Sequence, residues 1–453
     1  MNKRIKFQHI EECAGGADCY LRMLIAHLNP MRVEQVLIGS ADYDRKDYPT
    51  VNGMITVDSI QNTLSSYKDE KDTMRVRKIL KDKHSDITYC RSPKASGMKR
   101  ILMVCEAFGG GVFAYVSQLC NDMCETFDVY LAYAVRPQTP KNYRDALDKR
   151  VHLIEVKNFG HLKNPLADIR LIRELRQIER TVKPDVIHLH SSIAGGIGRI
   201  AFNGKHNAVA YTPHGYSFVL MGRKGSLKMW MYKQMEKILG NRNCITLTCC
   251  ESEDEVAKTV SRRTAYVETG VNVEDLSASL DGIQPIRNDR FTVYTLGRIC
   301  VQKQPELFNR IAELVPEARF VWIGSGELSD RLTAPNIEIT GWKPRKEALS
   351  MAKGADVYVL CSLGEAIAMS LIENMFMKKL CLVSNVMGNK SVIKNGVNGY
   401  LCDKAEDYAE RIKEAMKEFP VRLPEQAYED VMHIYNTHEM KRKYIEFYNS
   451  ICK

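Results

Sequence analysis

The sequence contains no CxxC pair. Its fourteen cysteines are scattered through apolar contexts such as "ILMVCEAF", "TLTCCES" and "KKLCLVS". That spacing argues against a zinc site and describes reduced, buried small hydrophobes. No apolar run reaches the roughly 18 residues that a membrane-spanning helix needs. No apolar segment stands behind the charged "MNKRIKFQHIEE", so a secretory signal is not expected and the expected location is the cytoplasm. A net charge of +10 suits nucleic acid, an anionic membrane surface or a phosphorylated substrate. No RNA- or DNA-binding signature accompanies that charge, which removes the first partner and leaves the other two. A full GxGxxG is missing as well. The nearest approach, "GGIGRIA", has Gly196, Gly198 and Ala201, and no acidic residue follows until Glu236. The ribose-binding acid of a nicotinamide site belongs about twenty residues on. From residue 98 onward there is no DxD carboxylate pair. The one DxD, Asp42 to Asp44, reads as a solvated loop.

What is present is length and alternation. A chain of 453 residues, 45% hydrophobic and 26% charged, is expected to form two or three globular domains. From Lys99 the strand-like runs "RILMVCEA", "FDVYLAYAV", "HLIEV", "PDVIHLH" and "AVAYTPHG" alternate with helical patterns. In 166–182, Ile169, Ile172, Leu175 and Ile178 recur at helical spacing. The stretch 271–290 is polar and turn-rich, which predicts a linker. Alternation then resumes with "FTVYTLGR", "ARFVWIGSG", "IEITGW", "ADVYVLCS" and "KLCLVSN", and the chain closes on a helical tail. Continuous apolar strands between amphipathic helices indicate parallel sheets covered on both faces, hence two Rossmann-like units in tandem.

The first ninety-seven residues read as a diverged, incomplete copy of the opening of the segment that starts at Met98, although Rossmann-type βαβ openings also look alike in general. Gly15, Gly16 and Tyr20 correspond to Gly110, Gly111 and Tyr115. Asp86, Ser92 and Ala95 correspond to Asp185, Ser191 and Ala194 at nearly the same spacing. The expected organisation is a partial duplicate over 1–97, an acceptor-side unit over 98–272, a nucleotide-sugar unit over 273–435, and a C-terminal helix over 436–453 that packs back on the first full unit.

Three stretches carry candidate chemistry. In "FGGGVFAY" glycines between a strand and a helix let backbone amides approach an anion, though a plain tight turn has the same residues. "LGRICVQKQPE" sets Arg298 and Lys303 just beyond a strand, where a diphosphate or bulk water would both suit them. In "GEAIAMSLIENM", Glu365 and Glu373 flank a helix start, and the amides of Ala366, Ile367 and Ala368 point along its N-terminus. Glu373 falls in an otherwise apolar helix, where a buried carboxylate needs a partner. His188 and His190 alternate along "IHLH" and are expected on opposite faces of the strand, a poor metal pair.

Taken together these marks resemble the family 4 glycosyltransferases of GT-B fold, over residues 98–453. The resemblance rests on "GGG" at 109–111, "YTPHG" at 211–215, "GR…QK" at 297–303, "WIGSGEL" at 322–328, the Glu-x7-Glu at 365–373 and "SNVMGN…IKNGVNGYL" at 384–401. It implies two Rossmann-like domains facing a cleft and a retaining transfer from a nucleotide-diphosphate sugar, in the UDP form, without metal. It implies Gly110, Gly111, Gly297, Arg298 and Lys303 at the donor diphosphate, Glu373 at the ribose, Glu365 with Ala366, Ile367 and Ala368 at the sugar, and His214 near the reacting centre. Glu365 is followed by "AIA" where many members carry a Gly and a Pro. The acceptor it implies is a lipid-linked glycan or polysaccharide precursor for the cell surface, such as a capsule. The basic, Met- and Trp-rich stretch 217–242 reads either as a helix on an anionic membrane surface, peripheral at the inner face, or as a core helix with a solvated side. Competing functions are a GT-B epimerase or phosphorylase and a non-catalytic sugar-nucleotide-binding scaffold. The retention of both glutamates and both cations stands against the scaffold.

Overall fold

The computed structural model describes residues 98–452 apart from 162–164, 203, 205–206, 221–226 and 287–288, together with four strands within residues 1–97. Those four are β1 (Ile5–Ile10), β2 (Val33–Gly39), β3 (Gly53–Thr56) and β4 (Ile87–Cys90). They form a parallel sheet in the order β3-β2-β1-β4.

The second sheet has seven strands: β5 (Arg100–Cys105), β6 (Asp128–Tyr133), β7 (His152–Glu155), β8 (Val186–His190), β9 (Ala208–Thr212), β10 (Ile245–Thr248) and β11 (Thr264–Tyr266). Its order is β11-β10-β9-β8-β5-β6-β7 and its pairing is parallel. The run β7-β6-β5-β8 therefore has the strand order of the first sheet. The third sheet comprises β12 (Thr292–Leu296), β13 (Arg319–Ile323), β14 (Ile337–Ile339), β15 (Val357–Leu360), β16 (Leu380–Ser384) and β17 (Tyr400–Cys402), ordered β14-β13-β12-β15-β16-β17 and again parallel.

Strands buried on both faces explain the continuous apolar runs. Along β5, Ile101, Met103 and Cys105 enter one core while Leu102 and Val104 enter the other. In the third sheet Tyr294 and Tyr358 face one core, and Val293, Phe320 and Trp322 the opposite one. Each expected strand from residue 98 onward is a strand here. The three-residue strands β11 and β17 are too short to show a period in the sequence, and β10 is four residues long.

The polar stretch 271–290 is not all linker. It contains the helix Val273–Leu280, whose N-cap Asn272 side chain accepts the Asp275 amide. Leu276 is buried beneath it. One apolar residue per turn was too thin a stripe to stand out among Asp, Ser and Glu.

Two chain crossings join the units and are bonded to each other. Val271 N–H donates to the Tyr435 carbonyl at 2.9 Å, and Thr437 N–H donates to the Val271 carbonyl at 3.0 Å. Gly270 lies against this crossing: a Cβ there would sit 2.2 Å from the Asn436 carbonyl. Beyond it the helix Thr437–Ile451 places Met440, Tyr444 and Tyr448 in the core of the seven-stranded sheet. Of the cysteines described, nine are buried and all are free.

Candidate active site

The carboxyl ends of β5, β8, β9, β12 and β15 turn toward one cleft, where a doubly wound sheet takes its ligands. On one side the helix Gly110–Met123 starts from the glycine turn. Gly110 has φ +56°, a left-handed conformation that favours glycine, and no atom lies within 4 Å of a Cβ built on Gly110 or Gly111. Backbone amides can thus be approached closely at this turn.

On the other side, Lys303 Nζ lies 2.7 Å from Glu365 Oε1. Ser362 Oγ donates to the same oxygen at 2.6 Å. The second oxygen, Oε2, takes only a long 3.4 Å contact from Gln302 Nε2. A carboxylate has about four lone-pair sites, so Glu365 keeps acceptor capacity for a ligand hydroxyl. Glu365 is buried in the loop ahead of the helix Met369–Phe376, whose N-cap is Ala368; Ala366 and Ile367 therefore belong to the loop and not, as expected, to the helix N-terminus. The loop is held from behind by Gly388. Its φ is +84°, and a Cβ there would meet the Ala366 carbonyl oxygen at 2.4 Å. Gly297, at φ +139°, lies beside the Lys303 stem.

Arg298 is placed differently. Its side chain is 71% exposed, and its guanidinium pairs with Glu327 at 3.0 Å. Glu373 sits on the buried-side helix, as its apolar neighbours imply, but its carboxylate is met by Arg345 at 2.9 Å. Both line a cavity of about 620 Å³ with Tyr115, Gln118, Val271 and Asn272. Arg345, Gln302 and Ser362 were not singled out in the sequence. Gln302 stands in the "GR…QK" motif and Ser362 three residues before Glu365, but only the fold brings Gln302 to that glutamate, and Arg345 meets Glu373 from 28 residues away with no local pattern to mark it.

His214 follows β9 at φ +53° and is partly exposed. Its Nε2 is 3.1 Å from His190 Nδ1, and its Nδ1 is 3.7 Å from Cys249 Sγ. The Tyr115 ring stands edge-on at 4.7 Å. His188 and His190 do not face opposite sides: their ring centroids are 4.1 Å apart. A strand has period two, so residues two apart share a face. Burial drives the pKa of His188 and of His214 down to about 3, and that of His190 well below its ordinary value. All three are neutral at pH 7. Glu253, fully buried, accepts Gly215 N–H at 2.7 Å and Cys249 N–H at 2.9 Å, and burial raises its pKa to about 7.

Two of the "GGIGRIA" glycines, Gly195 and Gly198, serve packing, while a Cβ on Gly196 would meet no atom within 4 Å. They lie inside the helix Ser192–Ala201, where a Cβ on Gly195 would come 2.1 Å from the Tyr211 ring and one on Gly198 2.5 Å from Leu189. Gly15, Gly16 and Tyr20, and Asp42 and Asp44, lie outside the described residues.

Comparison with known proteins decides the class. The model "Glycosyltransferase Family 4" matches residues 109–275, and "Glycosyl transferases group 1" matches 278–430. The chain is a GT-B glycosyltransferase. This glycosyltransferase is 29% identical over 289 residues to the UDP-Gal:alpha-D-GlcNAc-diphosphoundecaprenol alpha-1,3-galactosyltransferase of Escherichia coli, covering 57% of the chain and 73% of the relative. It is 24% identical over 298 residues to a 41.2 kDa protein in the cps region of Klebsiella pneumoniae, covering 59% of the chain and 79% of that protein. Among solved structures it resembles sucrose-phosphate synthase from Thermosynechococcus elongatus, with a TM-score of 0.65 at 16% identity over 78% of this chain and 98% of the other. HepE of Anabaena, in complex with UDP and glucose, gives 0.62 at 14% over 78% and 100%.

Proposed function

We propose that this glycosyltransferase moves a sugar from a UDP-sugar to a lipid-linked glycan during synthesis of a cell-surface polysaccharide. The observation that carries the reading is the Lys303–Glu365 pair, formed by the segments that follow β12 and β15 of the third sheet. The donor and acceptor classes draw support from the relative named for UDP-Gal and a diphosphoundecaprenol acceptor, and from the relative in a cps region.

In this reading the leaving diphosphate meets Lys303, Arg298 and the amides of Ala366, Ile367 and Ala368, with Gly110, Gly111 and Gly297 allowing close backbone approach. Positive charge fixed where negative charge develops lowers the barrier without a metal ion. Arg298 would turn from Glu327 to the phosphate, a small rearrangement for an exposed side chain. Glu365 Oε2 would accept a hydroxyl of the transferred sugar, and Glu373 the ribose diol in place of Arg345. Neutral His214 would orient donor or acceptor by hydrogen bonding, since an imidazole with a pKa of about 3 is not a proton donor of the cationic type at pH 7. Net retention at the anomeric carbon is part of the proposal.

We also propose that residues 1–97 derive from the opening of the second unit by partial duplication. The shared strand order supports this. A chain beginning at Met98 would then keep transfer activity.

A peripheral contact with an anionic membrane belongs to the same proposal. Leu227, Trp230, Met231, Met235 and Ile238 are exposed along one side of the helix Leu227–Gly240, flanked by exposed Lys228, Lys233 and Lys237. Its opposite side is fixed by Glu236, which pairs with buried Arg199 at 2.8 Å. Arg223 and Lys224 lie outside the described residues.

The test is a donor screen against UDP-, GDP- and ADP-sugars with a lipid-diphosphate disaccharide acceptor, following nucleotide release and product anomer with and without excess EDTA. Release of UDP, an anomer matching the donor, and indifference to chelator are expected. A different nucleotide, an inverted product or rescue by added Mg²⁺ would each overturn the corresponding part.

A further inference from the structure

The three histidines on the inner face of the second sheet form a stack that joins the C-terminal helix to His214. Ring centroids of His188 and His190 are 4.1 Å apart, and those of His190 and His214 are 5.3 Å apart. The hydrogen bonds around the stack determine where each proton sits.

Thr212 has one hydroxyl proton, and it is given to the Leu247 carbonyl at 2.7 Å. Thr212 Oγ1 must therefore accept from His188 Nε2, 2.8 Å away. That places the His188 proton on Nε2. Its Nδ1 is left with a lone pair, which accepts the Tyr448 hydroxyl at 2.7 Å.

Next along the stack, His190 Nδ1 and His214 Nε2 are 3.1 Å apart, so one donates to the other. His190 Nε2 is buried and has no hydrogen-bond partner among the described residues. A proton there would be an orphaned buried N–H, a rarer and costlier arrangement than a lone pair left unused. The His190 proton thus belongs on Nδ1 and is donated to His214 Nε2. The proton of His214 then sits on its own Nδ1, where its partner is the Cys249 sulfur at 3.7 Å, a weak acceptor.

We infer that His190 is a positioning residue: it holds His214 as the neutral Nδ1–H tautomer, leaving a weakly engaged N–H to be given to an oxygen of the sugar or the acceptor. This rests on the proposed role of His214 in the site. The backbone is prepared for the same end. His214 adopts φ +53°, which costs a non-glycine residue energy and persists only under constraint. Glu253 supplies that constraint by gripping Gly215 N–H on one side and Cys249 N–H on the other. The Tyr115 edge closes the remaining face of the ring, and its hydroxyl bonds to that of Tyr444 at 2.5 Å. Burial keeps His190 uncharged throughout the working pH range, so the hydrogen bond is not exchanged for a repulsion between cations.

The experiment uses the full chain labelled with ¹⁵N-histidine, with the His214 ring signals assigned by their loss in His214→Asn. Wild type should show a protonated Nδ1 and a bare Nε2 for His214. His190→Leu should lose that pattern and lower kcat at least about tenfold, with the donor KM within about twofold and Tm close to wild type. His190→Asn, whose amide N–H stands near the place of Nδ1–H, should restore both the pattern and most of kcat. A protonated Nε2 in wild type, an undiminished kcat in His190→Leu, or an equal loss in His190→Asn would overturn the inference. If His214→Asn itself turns over at the wild-type rate, the fault lies in the role given to His214. If His214→Asn is impaired and His190→Leu is not, it lies in the positioning step.

Discussion

Arg345 and Glu373 form a 2.9 Å ion pair inside the cleft between the two large sheets. Glu373 is carried by an apolar helix and 20% of its side chain is exposed, so the guanidinium satisfies a carboxylate that would otherwise be costly to hold there. A ribose diol would have to replace that partner. Glu373→Gln is expected to raise the KM for the donor about ten- to a hundredfold, the loss of one hydrogen bond to a charged group. Inhibition by inorganic diphosphate, which has no ribose, should change much less. Equal effects on both would remove Glu373 from the ribose.

Lys303 is the cation most tightly built into the site, with 18% of its side chain exposed and Glu365 against it. Lys303→Ala should lower kcat at least about tenfold, equivalent to about 1.4 kcal/mol of transition-state stabilisation. It should also destabilise the fold by leaving the Glu365 carboxylate short of a partner. Glu365→Gln in the Lys303→Ala background should recover stability but not activity, and thermal melts beside initial rates separate the two. Recovery of rate in the double variant would show that Lys303 matters only as the neutraliser of Glu365.

Stability should fall on acidification from pH 6.5. His188, His190 and His214 have folded pKa values far below the ordinary 6.5. Below pH 6.5 the unfolded chain gains their protons and the folded chain does not, so the stability is full above pH 6.5 and is lost as pH drops toward 3. Each histidine contributes about 1.4 kcal/mol per pH unit in that window. Glu253 has the opposite sign: its folded pKa of about 7 lies above the unfolded value, so its contribution is complete below pH 4.5 and is lost as pH rises through 7. Between pH 4.5 and 6.5 these four groups together imply uptake of about two protons on unfolding. Calorimetry of wild type and His188→Gln across this range should show the slope reduced by one proton in the variant, and an unchanged slope would contradict the buried stack.

The Leu227–Gly240 helix predicts binding to vesicles. The full chain should co-sediment with anionic vesicles and release as salt rises. Trp230→Ser with Ile238→Ser should weaken the apolar component, and Lys228, Lys233 and Lys237 replaced by glutamate should abolish the binding. The circular dichroism spectrum should be kept, since these side chains point away from the fold. Undiminished sedimentation of the glutamate variant, or equal binding to neutral vesicles, would remove this surface from the proposal.

The motifs of the candidate site were readable because their residues sit at fixed offsets from strand ends. Lys303 and Glu365 are far apart in the chain, yet each follows a strand, β12 and β15, that pairs in parallel with the other. Parallel pairing brings carboxyl ends to one side, so motifs after such strands converge. Arg298 shares the motif with Lys303 but not its partner, because a side chain at the rim of the loop takes the nearest exposed acid, Glu327. Partners such as Arg345 and Glu253 leave no local trace, since burial and contact across the fold define them.

By itself the sequence determined the two tandem parallel sheets, their buried strands and the positions of the glycine turn, the basic loop and the glutamate pair. Period and composition encode those features locally. The tertiary structure decided that the His188 and His190 rings lie side by side rather than apart, that 273–280 is a helix, and that Glu373 meets Arg345. It also decided that the last helix reaches back to His188 through Tyr448. These depend on which surfaces meet after the chain has folded, and a hydrogen bond between residues 260 apart in sequence is a property of packing.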